Sequence, residues 1–463
     1  NKNLGFANDD ITLLDPASGT LTFPANAIRI AKEEVDKSSS AGSWLQIVKN
    51  HILKDYYAFE LLMAPYIIGH LKISLLLEDL GYKLEDSDKI KLYLTNTLDL
   101  SEPKIQGLPM PGLVYSLTEE AKKAKEVKEK IPILVVMGNT PYSVSSSNII
   151  KEESDFKVLY ESYKEKVRKE ERNIQPLSDD YIKFIAFAHW KIKQAKQGIV
   201  GMITNNSYLD GLIHRDMRGK LAEDFDEIYL LNLHGNSKRQ EKVPKEVQEE
   251  LKIGEKDENV FDIQQGVGIV LLVKTGKNKK AIVKYADSWG SRKEKYEFLK
   301  DHDTKNTKWQ ELELKEPYYF FIPKDFGKGG EYENFISLEE IFNKTSSGIK
   351  THRDHFIIGF KDDEIKSRLY TFISDSDDDL VGNALDLKDT RDWKLKNARE
   401  KLRSNGIENL KFFNYLWRPF DFRRIYYSSV LIELPRLEVV GQIIKGDNLA
   451  LCVSRKIDKP VWN

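Results

Sequence analysis

Cysteine is almost missing from the 463 residues. The single Cys452 excludes an intrachain disulfide and any Cys-based zinc knuckle, and it fits a reducing compartment. Long apolar runs are absent too: the longest, Val267 to Val273, is far too short to cross a bilayer. No basic stretch followed by an apolar one opens the chain as a secretory signal would. Neither sign of charge dominates, since 72 Lys and Arg meet 73 Asp and Glu. A uniformly basic nucleic-acid coat is thereby excluded, though a local basic face is not. No G-x-G-x-x-G follows a strand, no G-x-x-x-x-G-K-[ST] occurs, and no internal repeat stands out. No second His or carboxylate sits at metal-ligand spacing from His189 or His234, so no metal is expected. What is present is 40% hydrophobic and 31% charged residues, enough to bury a core beneath a heavily charged surface. The expectation is a soluble, cytoplasmic protein.

The first two-thirds alternate strand-like runs with helical periodicity, the pattern of an α/β sheet. The runs are Ile11–Leu14, Tyr57–Phe59, Lys91–Thr95, Ile133–Met137, Gly198–Thr204, Glu227–Asn232 and Val267–Lys274. Helical spacing marks Glu60–Leu80 and Asp180–Lys193, the latter with Tyr181, Phe184, Ile185, Ala188 and Ile192 on one face. The charged stretches Lys32–Ser43, Glu119–Lys130 and Lys238–Asn259 read as solvated loops or exposed helices. Near residue 325 the texture changes. Lys324–Tyr332 carries three glycines and reads as a linker, followed by short strand-like pieces at Asp354–Phe360, Arg423–Val430 and Leu449–Val453. The last 63 residues hold 11 Lys and Arg against 6 Asp and Glu. A first domain over 1–325 and a second over 326–463 are expected. Both ends have the look of a cut within a longer protein.

Two strand ends carry chemistry. In Leu13-Leu14-Asp15-Pro16-Ala17-Ser18-Gly19-Thr20-Leu21-Thr22-Phe23 an apolar strand runs into a carboxylate and a small-residue turn before a helix. At the carboxyl end of a parallel strand, such a turn lets a ligand approach the backbone closely. In Ile133-Leu134-Val135-Val136-Met137-Gly138-Asn139-Thr140-Pro141-Tyr142 a buried strand ends in an amide, a proline-stiffened turn and an aromatic ring. That set suits methylation of a planar exocyclic amine. The Asn139 side-chain oxygen and the carbonyl of residue 140 can accept its two N–H groups and aim its lone pair at a methyl donor. The Tyr142 ring offers a face for an extruded base.

Together the two motifs resemble the DNA amino-methyltransferases that act on adenine N6, in the order of their gamma class. The text between sharpens the likeness. Phe59-Glu60-Leu61-Leu62-Met63-Ala64-Pro65-Tyr66, Tyr93-Leu94-Thr95-Asn96-Thr97-Leu98, Ile203-Thr204-Asn205-Asn206-Ser207-Tyr208-Leu209-Asp210-Gly211, Leu233-His234-Gly235-Asn236-Ser237 and Asn259-Val260-Phe261-Asp262-Ile263-Gln264-Gln265-Gly266 are similar to the methyltransferase part of Type ISP restriction–modification enzymes. Ser346-Ser347-Gly348-Ile349-Lys350-Thr351-His352-Arg353-Asp354 and Trp417-Arg418-Pro419-Phe420-Asp421 are similar to their target-recognition region.

The resemblance implies a mixed, mostly parallel, Rossmann-like S-adenosylmethionine methyltransferase sheet with a smaller α+β DNA-recognition domain. It implies that Asp15, Pro16, Ala17, Ser18, Gly19, Thr20 and Thr22 wrap the methionine part of S-adenosylmethionine. Glu60 would take the ribose hydroxyls and Asp99 the cofactor's adenine amine. Asn139, Thr140, Pro141 and Tyr142 would form the catalytic turn, with Tyr142 and Phe261 on the flipped base. Lys350, Arg353, Arg418, Arg423 and Arg424 would contact DNA. The partner is double-stranded DNA, with nuclease and translocase domains elsewhere in a longer parent chain. A segment that closes over the cofactor is expected to precede residue 1, and the recognition domain to continue past residue 463. By residue type alone, Glu60 also suits a helix start, though less well, while Asp99 equally suits a surface turn and Phe261 a core position. Each basic candidate equally suits surface or packing. This sequence departs from the family in having Leu21 where a second glycine is usual, and Thr140 where a proline is usual. Two other readings remain: a DNA-recognition module with a decayed cofactor site, and methylation of a protein glutamine. A nuclease core at Asp354 and Glu364-Ile365-Lys366 is not expected, because E-x-K arises easily in so charged a chain.

Overall fold

The computed structural model describes residues 5–38, 41–101, 111–142, 148, 150, 153–171, 173–277, 280–326, 334–342, 344–406, 411–418, 420–446 and 448–453. It divides into two compact units, Asn1–Lys324 and Asp325–Asn463. Most of the segment Lys324–Tyr332 lies outside the described residues.

The first unit is built on a nine-stranded sheet. Its strands are β1 (Leu13–Asp15), β2 (Tyr56–Glu60), β3 (Lys91–Leu94), β4 (Val135–Asn139), β5 (Gly198–Asn205), β6 (Glu227–Asn232), β7 (Val267–Lys274), β8 (Ile282–Asp287) and β9 (Gln310–Leu312). They lie in the order β3-β2-β1-β4-β5-β7-β6-β8-β9. β1 pairs in parallel with both β2 and β4, and β4 in parallel with β5. β7 runs antiparallel between β5 and β6. This is the mixed, mostly parallel sheet expected from the sequence. The order reverses at β1, so the crevice outside the ends of β1 and β4 is a topological switch point.

Apolar side chains on both faces explain why the inner strands are continuous hydrophobic runs. Leu14, Tyr57, Phe59 and Val136 join one core with the helices Pro111–Glu129 and Asp180–Ala195. Leu13, Tyr56 and Ala58 join a second core with Thr22–Ser38 and Met63–Asp79. The period-2 alternation along β2 thus divides its residues between two cores. The helix Asp180–Ala195 starts where the Asp179 side chain accepts the Tyr181 amide at 3.4 Å.

In the second unit, β10 (Ile358–Gly359), β11 (Phe412–Arg418) and β12 (Asp421–Tyr426) form a three-stranded antiparallel sheet in the order β10-β12-β11. It packs with Phe356, Leu369, Phe372, Trp393 and Leu402. Some strand expectations are corrected here. Asp354–Ile357 is a helical turn and only Ile358–Gly359 is strand. Leu449–Val453 has no strand pairing. The charged stretch Glu119–Lys130 proves to be the second half of a helix, held at its end by the buried Lys191, whose Nζ donates to the carbonyls of Val127, Lys128 and Ile131.

Candidate active site

The tips of β1 and β4 are neighbours, as the paired-motif reading requires. Leu13 and Leu14 stand opposite Val135 and Val136. One step further, a Cβ added at Gly138 would lie 2.6 Å from Asp15 Oδ1, so only glycine lets the β4 backbone pass so close to the carboxylate. Asp15 is fully buried. Its Oδ1 accepts the Ala17 amide at 3.1 Å, while its Oδ2 has no partner among the described residues. Burial pushes this carboxyl up to about 8; the Ala17 amide opposes that rise and Glu60 adds to it. The Ser18 hydroxyl is likewise buried and unpartnered.

The turn that follows is tied to the neighbouring strand tips. Ser18 N–H donates to Phe59 O at 3.0 Å, and Gly19 N–H donates to Glu60 Oε2 at 2.8 Å. Glu60 Oε1 accepts the Leu62 amide at 2.7 Å, just before the helix Met63–Asp79, which is the helix-start use of this residue. The Thr97 hydroxyl donates to Pro16 O, fastening the loop after β3 to the same turn. Thr22 is exposed, and its Oγ1 accepts from Lys72 at 3.3 Å. Asp99 is exposed. Its Oδ1 accepts the amide and hydroxyl of Ser101 at 2.9 and 2.6 Å, the local turn that its residue type suggested. Sequence reading missed Lys128, which is buried and whose Nζ donates to Thr95 Oγ1, Asn96 O and Asp99 O at 2.8, 2.7 and 2.9 Å. Burial brings this lysine down to about 8.

Leu21 adopts φ 61°, the left-handed region where glycine is the usual residue. Its side chain does not stand in the crevice: it is buried in the core beneath the helix Met63–Asp79. Gly69 of that helix makes the room, since a Cβ there would lie 3.1 Å from Leu21 Cδ1. Thr140 also has a local explanation. Its N–H and its hydroxyl both donate to Ile203 O of β5, at 3.2 and 3.3 Å. A proline has no N–H to give, so here the turn is stiffened by hydrogen bonds rather than by a ring.

Asn139 is exposed at the β4 tip, and Tyr142 Oη donates to its Oδ1 at 3.4 Å. Burial pushes the Tyr142 phenol well above its ordinary value, so the ring stays neutral. Pro141 is exposed between them. Phe261 lies in the loop that leads into β7, whose first residue Val267 pairs with Asn205 at the end of β5. The loop therefore leaves from the sheet edge that holds Asn139. Phe261 is half-buried against Leu233, Val260 and Val267.

In the second unit the two recognition motifs meet: Trp417 Nε1 donates to Asp354 Oδ2 at 2.7 Å. Pro419 lies outside the described residues. Arg353 is buried, paired with Glu433 at 3.0 Å and lies over the Trp393 ring at 3.7 Å, so here its guanidinium takes the packing use that its residue type equally suited. Arg424 pairs with Asp362 at 2.6 Å and donates to Asn414 Oδ1 at 2.6 Å. Arg423 pairs with Asp421 at 2.9 Å and touches the faces of Trp417 and Phe360. Arg418 and Lys350 are exposed. No group of side chains suited to a metal ion occurs among the described residues, and none of their helices is long and apolar enough to cross a membrane.

Residues 340–462 match the Type ISP C-terminal specificity domain. No curated protein matches the chain. Among solved structures, it is similar to the ATP-dependent Type ISP restriction–modification enzyme LlaBIII bound to DNA, at 25% identity and TM-score 0.65 over 92% of this chain and 28% of that one. It is similar in fold to a nuclease-deletion mutant of the Type ISP enzyme LlaGI in complex with a DNA substrate mimic, at 20% identity and TM-score 0.64, covering 94% of this chain and 36% of that one. The DrdV–DNA complex matches at 22% identity and TM-score 0.60, covering 93% and 42%. The chain thus spans less than half the length of these solved relatives. The likeness read from the motifs is met on two counts: residues 340–462 match the Type ISP C-terminal specificity domain, and the chain is similar in structure to Type ISP restriction–modification enzymes.

Proposed function

We propose that the chain is the methyltransferase and target-recognition part of a restriction–modification enzyme, and that it methylates adenine N6 at a specific DNA sequence. The observation that carries the reading is the Asp15–Gly138 approach. A buried carboxylate with an unpartnered oxygen stands at the strand-order reversal, one residue from the amide that would hold the amine. Polar atoms are seldom buried without partners, and two of them in one turn at a strand-order reversal are in the place where open α/β sheets bind ligands. The unpartnered atoms Asp15 Oδ2 and Ser18 Oγ fit S-adenosylmethionine, whose methionine part brings an ammonium donor. When bound, S-adenosylmethionine supplies an electrophilic methyl group on a sulfonium.

The chain's own residues then have defined tasks. Asp15 neutralises the ammonium, the turn 15–22 wraps the methionine part, and Glu60 takes ribose hydroxyls on the lone pairs its amide bonds leave. Asp99 faces the adenine of the cofactor. The target base leaves the duplex at a cost of a few kcal/mol and meets the neutral ring of Tyr142 on one side and Phe261 on the other. Asn139 Oδ1 and the residue 140 carbonyl accept its two N–H groups, and orientation is the main catalytic contribution. Phosphate contacts anchor the duplex and make binding salt-sensitive, with exposed Arg418 and Lys350 the first candidates and Arg423 and Arg424 secondary because each already has a carboxylate. Nuclease and translocase domains would lie elsewhere in a longer parent.

The test is incubation with labelled cofactor and a DNA pool, followed by mapping of the modified base. N6-methyladenine at one recurring sequence is the expected product. Label in another base or in protein glutamine overturns the assignment. Calorimetric titration with S-adenosylmethionine separates an active site from a decayed one, because a chain that only recognises DNA takes up no cofactor.

A further inference from the structure

The loop that carries Phe261 is gripped by one side of one helix. The helix Arg292–Asp301 opens with a capping box, Ser291 to Glu294. Three of its side chains take three successive backbone carbonyls of the loop. Lys295 Nζ donates to Glu258 O at 2.6 Å, Arg292 Nε to Asn259 O at 2.9 Å and Tyr296 Oη to Val260 O at 2.7 Å. The other arm of Arg292 donates to Asp262 Oδ1 at 2.7 Å, so its bonds bracket Phe261 on both sides in the chain. Lys295 also donates to Leu233 O at 2.7 Å and forms an ion pair with Asp257 at 2.7 Å, with both side chains fully buried. Asp257 in turn accepts the amides of Gly235 and Gly290 at 2.7 and 3.0 Å. Within the loop, Asn259 holds the Phe261 amide at 2.8 Å and reaches Gly235 O and Gln265 O at 2.9 and 2.7 Å.

The loop is only partly covered, with Val260 buried, Phe261 half-buried and Asp262 and Gln264 exposed, and its solvent side does not need this much fixation to stay folded. Carbonyls on such a loop are satisfied by water, and ordering them costs conformational entropy. The arrangement has the form expected where one ring must be found in one place, because supporting hydrogen bonds are what hold a contact residue within a fraction of an ångström. We propose that Arg292, Lys295 and Tyr296 are positioning residues that fix the Phe261 loop for methyl transfer. The proposal rests on the reading above, in which Phe261 packs on the flipped base.

Removing Lys295 would strand Asp257 in the core and risks the fold, so the half-exposed pair Arg292→Met and Tyr296→Phe is the instrument. In the double variant, amide exchange across residues 259–266 is expected to rise about tenfold while the cofactor turn 15–22 keeps its protection. With S-adenosylmethionine and unmethylated genomic DNA, kcat is expected to fall about tenfold with cofactor affinity unchanged. Unchanged exchange overturns the proposal. So does faster exchange with full kcat, which would make the grip purely structural, and so does a fall in cofactor affinity parallel to the rate. If the unsubstituted chain transfers no methyl group to DNA, the functional reading fails, and the positioning role with it; an active chain indifferent to the double substitution defeats the positioning role alone.

Discussion

Two buried ionisable side chains, one in each unit, meet burial differently. Asp15 at the tip of β1 has one oxygen on a backbone amide, one without a partner, and no ion pair among the described residues. Arg353 has a carboxylate at 3.0 Å and an aromatic face at 3.7 Å. Leaving a charge uncompensated in a low dielectric costs several kcal/mol unless the group neutralises or a ligand arrives, whereas a compensated pair is part of the packing. The contrast teaches where to look for binding: at the buried carboxyl with an unpartnered oxygen rather than at the most conspicuous cation. Arg353 sits inside a motif shared with a DNA-recognition region and is still the basic candidate least able to touch DNA.

The largest expected effect tests whether the crevice beside Asp15 is catalytic. Asn139→Ala removes the side-chain acceptor for the amine and is expected to lower methyl transfer by about a hundredfold or more, a size typical of losing one preorganised polar group in a transition state. Binding of DNA, read by mobility shift, should stay within about twofold, because phosphate contacts dominate affinity. A rate that survives would leave Asp15 as a buried carboxyl with no chemistry beside it.

Arg353→Ala addresses the other half of the comparison. Removing it leaves Glu433 with only His352 Nδ1 and the Thr390 hydroxyl, each at 3.1 Å, and takes the cation off the Trp393 face, so the second unit should lose about 2 kcal/mol, read as a lower unfolding midpoint. Arg418→Ala should leave that midpoint alone and weaken DNA binding, with a shallower dependence on salt. If Arg353→Ala kept the midpoint and lost DNA binding instead, the packing assignment would be reversed.

Asp15→Asn sharpens the meaning of the buried carboxyl through pH. The folded state holds the Asp15 proton up to about 8, whereas the unfolded chain releases it near 3.8. Folding therefore retains a proton between these values, and the contribution of this group to stability falls as pH rises from about 4 to about 8. Asn cannot ionise. The substitution should be nearly neutral at pH 4 and stabilising by several kcal/mol at pH 8, while abolishing uptake of S-adenosylmethionine. Added cofactor should narrow the gap at pH 8 by stabilising only the unsubstituted chain. Equal midpoints for the two proteins at both pH values would mean that the carboxylate is compensated after all.

Much of the first unit was legible because its inner strands are buried on both faces, so Val267–Lys274 and Glu227–Asn232 announce themselves as apolar runs with bounds that the structure repeats. β8, β9 and β11 escaped notice. The first is interrupted by Lys284, the second is three residues long, and the third mixes Asn414 and Arg418 with aromatics. The run Asp354–Phe360 misled because four to seven apolar residues do not distinguish a helical turn from a strand. At the site, spacing could not say that strands about 120 residues apart would be neighbours; that came with the resemblance, and the register now displays it. The helix Arg292–Asp301 stayed hidden for another reason. Its composition reads as a solvated face, and Lys295 is buried only because partners distant in sequence satisfy its ammonium. The S-x-x-E signature at Ser291 was the one local clue to its start.

Leu21 sets the smallest of these effects and decides whether the cofactor turn departs from the family in function or only in packing. Glycine at a left-handed position relieves about 1 kcal/mol of backbone strain, and deleting a buried leucine side chain costs about 2–3 kcal/mol. The side chain wins, so Leu21→Gly should lower stability by about 1–2 kcal/mol. Affinity for S-adenosylmethionine should hold within about twofold, because the removed atoms face the helix Met63–Asp79 and not the crevice. Gly69→Ala would press a methyl group on Leu92 at 3.0 Å and on the same leucine at 3.1 Å, so it should be costly alone and cheaper beside Leu21→Gly, which removes one of the two contacts. A cofactor affinity that instead rose tenfold in Leu21→Gly would mean that the leucine obstructs the turn, and the buried carboxyl of Asp15 would then mark a site on its way to being lost.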